Sequence, residues 1–454
     1  MYYDLSKLEK TYEVKLDETQ KGVLSDLTNF IESDEWEICL AAKAGTGKSL
    51  ILSMLYDIIK DNGYSCTFVT PTNKAKLALT NKGDSNRTSL TIHSLLCLRP
   101  NMEVMEFDAS QLSFDFKYRS TKLYFDVLLV DECSMINDDL YNVLLKEFSK
   151  TKIVWVGDPS QIAPIKQDHR SKTFEVRTLA LTKIYRQPES KLCSILEQLR
   201  KTPLYHFDNT SDDFCNIIVC NNILNMINKY SYLFKVSKDF RDYNLVKLVT
   251  YTNNRIGALN GVIRNCLYTD HEEYHIGEVL TGYDTCDYSN VSHIDNSSDY
   301  IVTDIYPLVI SCECLRLKAY KLRLKKEDES EFIITILSRN NPQYLLDNLA
   351  YRLEIKRQKA VKSKKPIDWA GFYKSYNSFL TPVNLSVDNR VIKRKSLDYG
   401  YCISVHKSQG STYSIVLVDM ENIWRCPNKE ELRQMQYVAC SRTASDLIIY
   451  QRDK

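Results

Sequence analysis

The chain has 454 residues, 44% of them hydrophobic and 26% charged, with a formal net charge of +2 at pH 7, which neither requires nor excludes a polyanionic partner. This length predicts two to four domains, and no apolar run approaches the roughly 20 residues that span a bilayer. Fourteen cysteines without a Cys-x-x-Cys pair argue against disulfides or zinc, and an N-terminus without a signal pattern favours a cytoplasmic location.

Short β-rich apolar runs alternate with helical segments along most of the chain. They lie at 66–71, 124–132, 152–158, 247–252, 414–420 and 445–451. Continuous apolar strands of this kind are typical of parallel sheets covered by helices on both faces, so the pattern predicts an α/β fold.

The first such unit contains a glycine loop, "AAKAGTGKS", between a strand and a helix. Backbone amides of such a loop and the following helix N-terminus bind a phosphate chain. The Lys48 ammonium adds charge at the β- and γ-phosphates, and the Ser49 hydroxyl can bind Mg²⁺. We therefore expect ATP to contact Ala44, Gly45, Thr46, Gly47, Lys48 and Ser49.

Two later strand ends carry polar groups suited to hydrolysis. In "VDECSM", Asp131 is placed to bind Mg²⁺ and Glu132 to polarise the attacking water. In "VGDPSQIAPI", Gln161 can sense the γ-phosphate, and Asp158 is expected near the metal side. A surface acidic pair and a simple turn are the alternative interpretations.

Hydrolysis also needs positive charge on the developing transition state. The candidates are Arg186 in "LTKIYRQ" and Arg442 in "QYVACSRT". If both reach one nucleotide, the nucleotide lies in a cleft between two domains, and the cleft opens and closes during turnover. That arrangement favours a motor over a kinase.

The order of these segments resembles the RecD-like DNA helicases of superfamily 1B, with the phage Dda type the most similar. The segments that carry the resemblance are "TQKGVL", "AGTGKS", "VTPTNKAK", "TIHSLL", "VDECSM", "GDPSQIAPI", "LTKIYRQ", "VTYTNNRIGALN", "ISVHKSQGSTYSIVLVDM" and "YVACSRT". The departures are Ala42, Ser49 and Cys133, and none removes a group that touches phosphate or metal.

The resemblance implies two RecA-like domains with ATP and Mg²⁺ between them and single-stranded DNA across both, moving 5′ to 3′. It implies that Gln20 reads adenine. The residues it places on the DNA are Thr70, Pro71, Thr72, Thr91 and His93 in the first domain and His406, Lys407 and Ser408 in the second. Hydroxyls at loop ends are also common caps of turns, which leaves a structural alternative open for each residue alone.

The implied boundaries are 1–185 for the first RecA-like domain and 186–265 with 396–454 for the second. Residues 99–122 form an inserted β-hairpin, the pin, in which Phe107, Phe114 and Phe116 are candidates for strand separation or for packing. Residues 266–395 form an inserted barrel resembling Src-homology 3 domains, with a helical hook whose Trp369, Phe372 and Tyr373 pack against the pin. A basic run from Arg352 to Lys365 either follows DNA or solvates a helix.

The leading interpretation is an ATP-dependent 5′-to-3′ DNA helicase of replication, recombination or repair. The alternatives are a single-strand translocase that displaces proteins or acts on RNA, and a nucleotide-gated single-strand-binding adaptor. We expect a monomer that acts on single-stranded and forked DNA, with a single-strand-binding protein or replisome components as partners, in the host cytoplasm if the chain is viral. The "HEEYH" segment at 271–275 matches a zinc pattern but precedes a turn and strand, which favours a solvated loop.

Overall fold

The protein is described by a computed structural model. The described residues are 1–72, 87–111, 114–116, 123–164, 167, 169–185, 190–234, 246–287, 293–327 and 329–452. Within these residues, no helix has both the length and the apolar character needed to cross a membrane.

Strands and helices alternate through the first half of the chain. The strands are β1 (Glu37–Ala42), β2 (Cys66–Thr70), β3 (Ser89–Thr91), β4 (Leu98–Pro100), β5 (Phe114–Phe116), β6 (Val127–Val130), β7 (Lys152–Gly157), β8 (Thr178–Leu181), β9 (Thr210–Ser211) and β10 (Asn216–Cys220). The helices are α1 (Leu5–Thr11), α2 (Glu18–Glu32), α3 (Lys48–Asp61), α4 (Ile92–Leu96), α5 (Asp138–Glu147), α6 (Lys191–Leu199) and α7 (Ile223–Tyr230).

The second half contains a long antiparallel segment between further alternating elements. The strands are β11 (Val246–Thr250), β12 (Val279–Gly282), β13 (Cys286–Asp287), β14 (His293–Ile294), β15 (Asp299–Cys312), β16 (Leu315–Lys325), β17 (Glu331–Leu337), β18 (Leu385–Val387), β19 (Arg390–Lys393), β20 (Leu397–Tyr399), β21 (Cys402–Ser404), β22 (Tyr413–Asp419) and β23 (Thr443–Tyr450). The helices are α8 (Asn253–Leu267), α9 (Gln343–Ser363), α10 (Pro366–Tyr376), α11 (Val405–Ser408), α12 (Met420–Ile423) and α13 (Lys429–Cys440).

The first sheet has the strand order β3-β2-β6-β7-β1-β8, and every neighbouring pair is parallel. Its central strands β2 and β6 are buried at every position, as their continuous apolar sequences predict. Apolar clusters cover both faces. The predicted parallel α/β architecture is confirmed for this region, and it is RecA-like.

The second sheet has the order β21-β11-β22-β23-β10-β9 and is parallel except for the short edge strand β9. The third sheet, β17-β16-β15-β12-β20, is antiparallel. Strand β16 alternates buried and exposed residues, as its Leu-Arg-Leu-Lys pattern predicts. The last strand of the third sheet, β20, ends at Tyr399, slightly beyond the predicted end of the insertion at 395. One apolar core joins the second and third sheets.

The hairpin β4-β5 lies against the hook formed by α9 and α10. Phe107 and Phe372 belong to one buried cluster with Met102 and Ala109, and Trp369 packs against it. The Arg357 guanidinium is fully buried and donates to the carbonyl oxygens of Met102 and Val104, at 3.1 and 2.7 Å. The hook therefore holds the segment that joins β4 to β5 through both apolar and charged contacts.

Candidate active site

The glycine loop connects the end of β1 to the start of α3, at the carboxyl edge of the first sheet. Gly45 and Gly47 have φ of 81° and 85°, in the left-handed region that glycine adopts without strain. A Cβ on Gly47 would also lie 2.8 Å from the Gln20 amide nitrogen. The loop therefore requires glycine at position 47 for backbone freedom and for close packing.

Lys48 extends from the first turn of α3 to two carboxylates that follow β6. Its ammonium nitrogen lies 2.8 Å from Asp131 Oδ1 and 2.8 Å from Glu132 Oε1, and all three side chains are largely buried. Burial opposes the Lys48 charge, but the two carboxylates outweigh it and raise the pKa of Lys48. Burial raises the pKa of Asp131, whereas Lys48 outweighs burial at Glu132 and lowers that pKa. The site therefore holds a permanent cation beside an ionised glutamate.

Glu132 has an unusual backbone for a residue other than glycine, with φ of 54°. Such strained conformations occur at functional sites that the surrounding structure holds in place. Its Oε1 binds Lys48, while its buried Oε2 has no hydrogen-bond partner among the residues that the structure describes. A buried carboxylate oxygen without a donor is suited to accept a proton from a water molecule in the adjoining cleft.

The cleft has a volume of about 640 Å³ and is lined from both parallel sheets. The first sheet's loops contribute Lys48, Ser49 and Gln161, and the second sheet's loops contribute Ser411 and Arg442. Arg442 is 5% exposed, and its Nη1 donates to the Ser411 carbonyl at 3.2 Å. Its charge also lowers the pKa of Glu132, after the larger effect of Lys48. The structure thus brings Arg442 to the same cleft as the glycine loop.

Gln20, which is expected to read adenine, lies beside the glycine loop. Its Oε1 accepts from the Asp17 amide at 3.2 Å, and its Nε2 donates to the Thr46 carbonyl at 3.4 Å. The amide thus takes part in the capping box of α2 and links this helix to the phosphate loop, and it keeps a second N–H and a second lone pair. Its contact with adenine remains a prediction.

Tyr185 is a lining residue that the sequence reasoning missed. Its amide donates to the Gly45 carbonyl at 2.8 Å, and its hydroxyl donates to the Asp17 carboxylate. Burial and the neighbouring Asp17 raise the pKa of Tyr185 to about 12, so the phenol stays protonated. Its position directly before Arg186 was the available signal. Arg186 itself lies outside the described residues, and its role remains a prediction.

The residues present fit a bound Mg²⁺ and nucleotide. Ser49 and Asp131 line one cleft and supply the oxygen ligands that Mg²⁺ prefers. Gly157 allows the strand ends to approach closely, because a Cβ there would lie 2.9 Å from Cys133 Sγ. Asp158 differs from its expected place near the metal, since Tyr437 donates to its Oδ2 at 2.6 Å and the Ser160 amide to its Oδ1 at 2.9 Å.

The predicted DNA-contacting hydroxyls are mostly used by the protein itself. Thr70 and Ser408 are fully buried, and they donate to the carbonyls of Thr72 and Val405 at 2.8 and 2.7 Å. Thr91 caps α4 by accepting from the Ser94 amide at 3.1 Å. Thr70, Ser408 and Thr91 therefore have the local structural role of the alternative interpretation in this structure, and their contact with DNA remains a prediction.

Other predicted contacts keep some exposure. Pro71, Thr72, His406 and Lys407 are half-buried and His93 is exposed. His406 Nε2 lies 3.4 Å from Glu431. These residues remain predicted contacts.

Lys407 enters a crevice between the second and third sheets. Its ammonium donates to the Gly282 carbonyl at 2.9 Å and to Asn296 at 3.1 Å, and it lies 3.7 Å from the centre of the Tyr283 ring. Burial, followed by the charges of Lys395 and Arg394, lowers the pKa of Lys407 to about 7. This lysine is therefore a predicted DNA contact whose charge changes near neutral pH.

Phe107 is 2% exposed in the cluster with Phe372, so the packing alternative holds and it does not face a DNA junction in this structure. Phe114 and Phe116 lie on β5, and their side chains fall outside the described part of the chain. They remain predictions. In the basic run, Arg357 is buried, and Lys356 and Lys359 pair with Glu313 and Asp368.

The zinc-like "HEEYH" segment is an ordinary loop. His275 pairs with Asp270 at 2.9 Å and stacks on Tyr268, while His271 is exposed. Among the residues described, no three His, Cys, Asp or Glu side chains form a group that could hold a metal ion.

Two family matches agree with this geometry. Residues 15–210, which contain the glycine loop, match the AAA domain family. Residues 399–450, which contain Lys407 and Arg442, match the UvrD-like helicase C-terminal domain. The two matches therefore fall on the two parallel sheets that line the cleft.

The chain is similar to two viral proteins among its relatives. An uncharacterized protein of Acanthamoeba polyphaga mimivirus is 23% identical, over 94% of this chain and 98% of that protein. The ATP-dependent DNA helicase dda of Enterobacteria phage T4 is 22% identical, over 58% of this chain and 60% of that helicase. The chain thus spans less than two thirds of the phage helicase.

A solved Pif1 helicase structure, described as unwinding forked double-stranded DNA, has the same fold over 97% of this chain and 93% of its own, with 17% identity and a TM-score of 0.55. A Bacteroides Pif1 complex with ADP-AlF3 and single-stranded DNA has a TM-score of 0.54 at 16% identity, over 97% and 94% of the two chains. Taken together, the family matches and the helicase relatives make this chain similar to the Dda- and Pif1-like ATP-dependent DNA helicases of superfamily 1B, and the solved Pif1 structures share its fold.

Proposed function

We propose that this chain hydrolyses ATP to move 5′ to 3′ along single-stranded DNA and to unwind duplex DNA during replication, recombination or repair. The observation that carries the proposal is that Lys48 and Glu132 share one cleft with Arg442 of the other parallel sheet. A cleft with cations on both walls binds a triphosphate best when closed, so hydrolysis can drive relative motion of the walls. The direction of movement is supported only by the resemblance to RecD-like enzymes.

The hydrolytic roles follow from the charges in the cleft. Lys48 binds the β- and γ-phosphates, and Glu132 accepts a proton from the attacking water through its free Oε2. Gln161 positions that water or senses the γ-phosphate, while Arg442 stabilises negative charge in the transition state. Mg²⁺, held by Ser49 and Asp131, would neutralise phosphate charge. We assign the second arginine role to Arg186.

The proposed domains are residues 1–185, residues 186–265 with 396–454, and the insertion at 266–395 resembling a Src-homology 3 barrel. The pin at 99–122 separates strands, with Phe114 and Phe116 as the remaining aromatic candidates. Support comes from the hook, which holds the segment joining β4 to β5 through Arg357. A wedge must be held rigidly in order to transmit force.

Single-stranded and forked DNA are the proposed substrates, since the similar Pif1 helicases bind single-stranded DNA in one structure and unwind forked duplexes in the other. We propose a monomer in the cytoplasm of the cell or viral host, with single-strand-binding protein or replisome components nearby. Two alternatives remain distinct: a translocase that displaces proteins or moves on RNA without unwinding, and an adaptor that binds strands with little hydrolysis. The charged cleft disfavours the adaptor, which has no use for Arg442.

One experiment separates the three. ATP hydrolysis is measured with and without single-stranded DNA or RNA, and strand release is measured on forked duplexes with a 5′ or a 3′ tail. DNA-stimulated hydrolysis with release that depends on the 5′ tail supports the helicase. Stimulation without release supports the translocase, and binding without stimulated hydrolysis supports the adaptor. Release that depends on the 3′ tail would overturn the proposed direction.

A further inference from the structure

A loop of the first sheet, 158–163, is docked on helix α13 of the second. The Tyr437 hydroxyl donates to Asp158 Oδ2 at 2.6 Å, and the Ala163 amide donates to Gln434 Oε1 at 3.0 Å. Between these two bonds, Ile162 is 3% exposed and belongs to the apolar core of the second sheet. Gln161 lies in the same loop, so α13 also fixes the backbone of Gln161.

Helix α13 also positions Arg442. The helix ends at Cys440, and the Arg442 Nε donates to the carbonyl of Val438 in its last turn at 3.2 Å. Arg442 Nη2 donates to the Ser441 hydroxyl at 3.0 Å. One rigid helix therefore carries Tyr437, which holds the Gln161 loop, and the arginine that faces the phosphates.

Tyr437 is itself fixed from a second side. Arg200 Nη2 donates to its hydroxyl at 2.5 Å, and the guanidinium lies 4.4 Å from the centre of its ring. Arg200 binds Glu197, whose carboxylate lies 2.8 Å from the ammonium of Lys43 in the glycine loop. Burial and the Asp158 charge raise the pKa of Tyr437, which keeps its hydroxyl a donor. A continuous polar chain thus connects the phosphate loop with Asp158.

We propose that Tyr437 is a positioning residue, held by Arg200, that sets the Gln161 loop against Arg442 so that both reach the γ-phosphate together. It does not line the cleft and acts only through these groups. The inference rests on the proposed ATP hydrolysis and not on unwinding. It also assigns Asp158 to this contact, because both of its oxygens already have protein donors.

The test compares Tyr437→Phe, Asp158→Asn and the double variant in the full chain. Tyr437→Phe removes the donor of this hydrogen bond, and Asp158→Asn leaves one acceptor oxygen for the Tyr437 hydroxyl and the Ser160 amide. For each single variant we expect kcat for ATP hydrolysis to fall about 10- to 100-fold with KM within about twofold. The double variant should be no slower than the slower single variant. Tyr300→Phe removes another buried tyrosine hydroxyl, bonded to the Asp295 amide, and should leave kcat unchanged.

Hydrogen exchange of the 158–163 amides provides a readout that needs no catalysis. Tyr437→Phe and Asp158→Asn should both speed exchange in this loop in the nucleotide-free protein, and Tyr300→Phe should not. Additive losses in kcat, a severe Asp158→Asn defect beside a normal Tyr437→Phe, or unchanged exchange would overturn the proposal. If the wild type fails to hydrolyse ATP, the proposed function fails, while exchange still decides whether Tyr437 holds the loop.

Discussion

The nucleotide cleft and the loops expected to contact DNA were both predicted from short sequence segments, yet their side chains behave differently. In the cleft, Lys48, Glu132 and Arg442 converge from distant positions in the chain. In the DNA-contact loops, the hydroxyls of Thr70 and Ser408 bond to carbonyls two and three residues away. Buried charges need partners that only tertiary structure supplies, whereas a hydroxyl can be satisfied by its own turn.

This contrast suggests which residue types carry reliable functional information. A lysine beside two carboxylates at a strand edge has few structural uses, and its burial is costly without a specific site. A threonine or serine at a loop end has a common structural use as a cap. The predictions below test whether the cleft depends on its charges and whether the DNA-contact loops depend on charges more than on hydroxyls.

The largest effect is expected for Lys48→Ala, which should abolish hydrolysis because the β- and γ-phosphates lose the cation that binds them in the glycine loop. The change also leaves Asp131 and Glu132 buried without their shared cation, which should lower stability by about 1–3 kcal/mol. Steady-state hydrolysis and thermal unfolding measure the two effects. Adding Glu132→Gln should restore part of the stability and none of the activity. Substantial hydrolysis by Lys48→Ala would contradict the assignment of the loop.

Arg442→Ala should slow hydrolysis by about 10³-fold, since an arginine that stabilises the transferring phosphoryl group contributes that much or more. Nucleotide binding should weaken much less, which separates the charge effect from loss of the site. Single-turnover kinetics and equilibrium binding of ATP provide the two measurements. Arg425→Ala, at an exposed position of the same region, is the control and should behave like the wild type. A normal hydrolysis rate for Arg442→Ala would show that Arg442 of the second sheet takes no part in the mechanism.

The sequence predicted the strands of the fold more completely than it predicted the contacts within the cleft. Continuous apolar runs indicated the parallel strands correctly, because burial on both faces leaves a mark in the sequence. Gln20 was placed beside the glycine loop, but the capping box that uses its amide depends on local competition between hydrogen bonds. The roles of Tyr185 and Tyr437 were not predicted, because neither side chain carries a charge that would mark it as part of a site. The core shared by the second and third sheets arises from contacts that no local pattern encodes.

Lys407 offers a smaller, pH-dependent test on the DNA side. Its ammonium faces Lys395 and Arg394, which with burial lower its pKa to about 7, while Asp299 and Asp284 act in the opposite direction. At pH 8 the free protein therefore holds it mostly neutral. A DNA phosphate favours the charged form, so binding should take up as much as about one proton at pH 8 and little at pH 6.

Calorimetry of single-stranded DNA binding in two buffers of different ionisation enthalpy measures this uptake. Lys407→Met should abolish it, and affinity of the wild type should fall by up to about tenfold from pH 7 to pH 8. Lys374→Met, which removes an exposed hook lysine, is the control and should keep the uptake. Equal uptake in wild type and Lys407→Met would exclude Lys407 as a phosphate contact.

The smallest effects are expected for Thr70→Val and Ser408→Ala. Each removes a buried hydroxyl that satisfies a backbone carbonyl, so the unfolding midpoint should fall by about 2–4 °C. Single-strand affinity should stay within about twofold, with an unchanged salt dependence, because no phosphate charge is neutralised by either group. His406→Ala, at a half-buried position, is the matched variant expected to weaken binding. A large loss of single-strand affinity without loss of stability in Thr70→Val would show that this hydroxyl leaves its turn to contact the DNA strand. Hydroxyl residues in the sequence would then predict function as reliably as charged residues do.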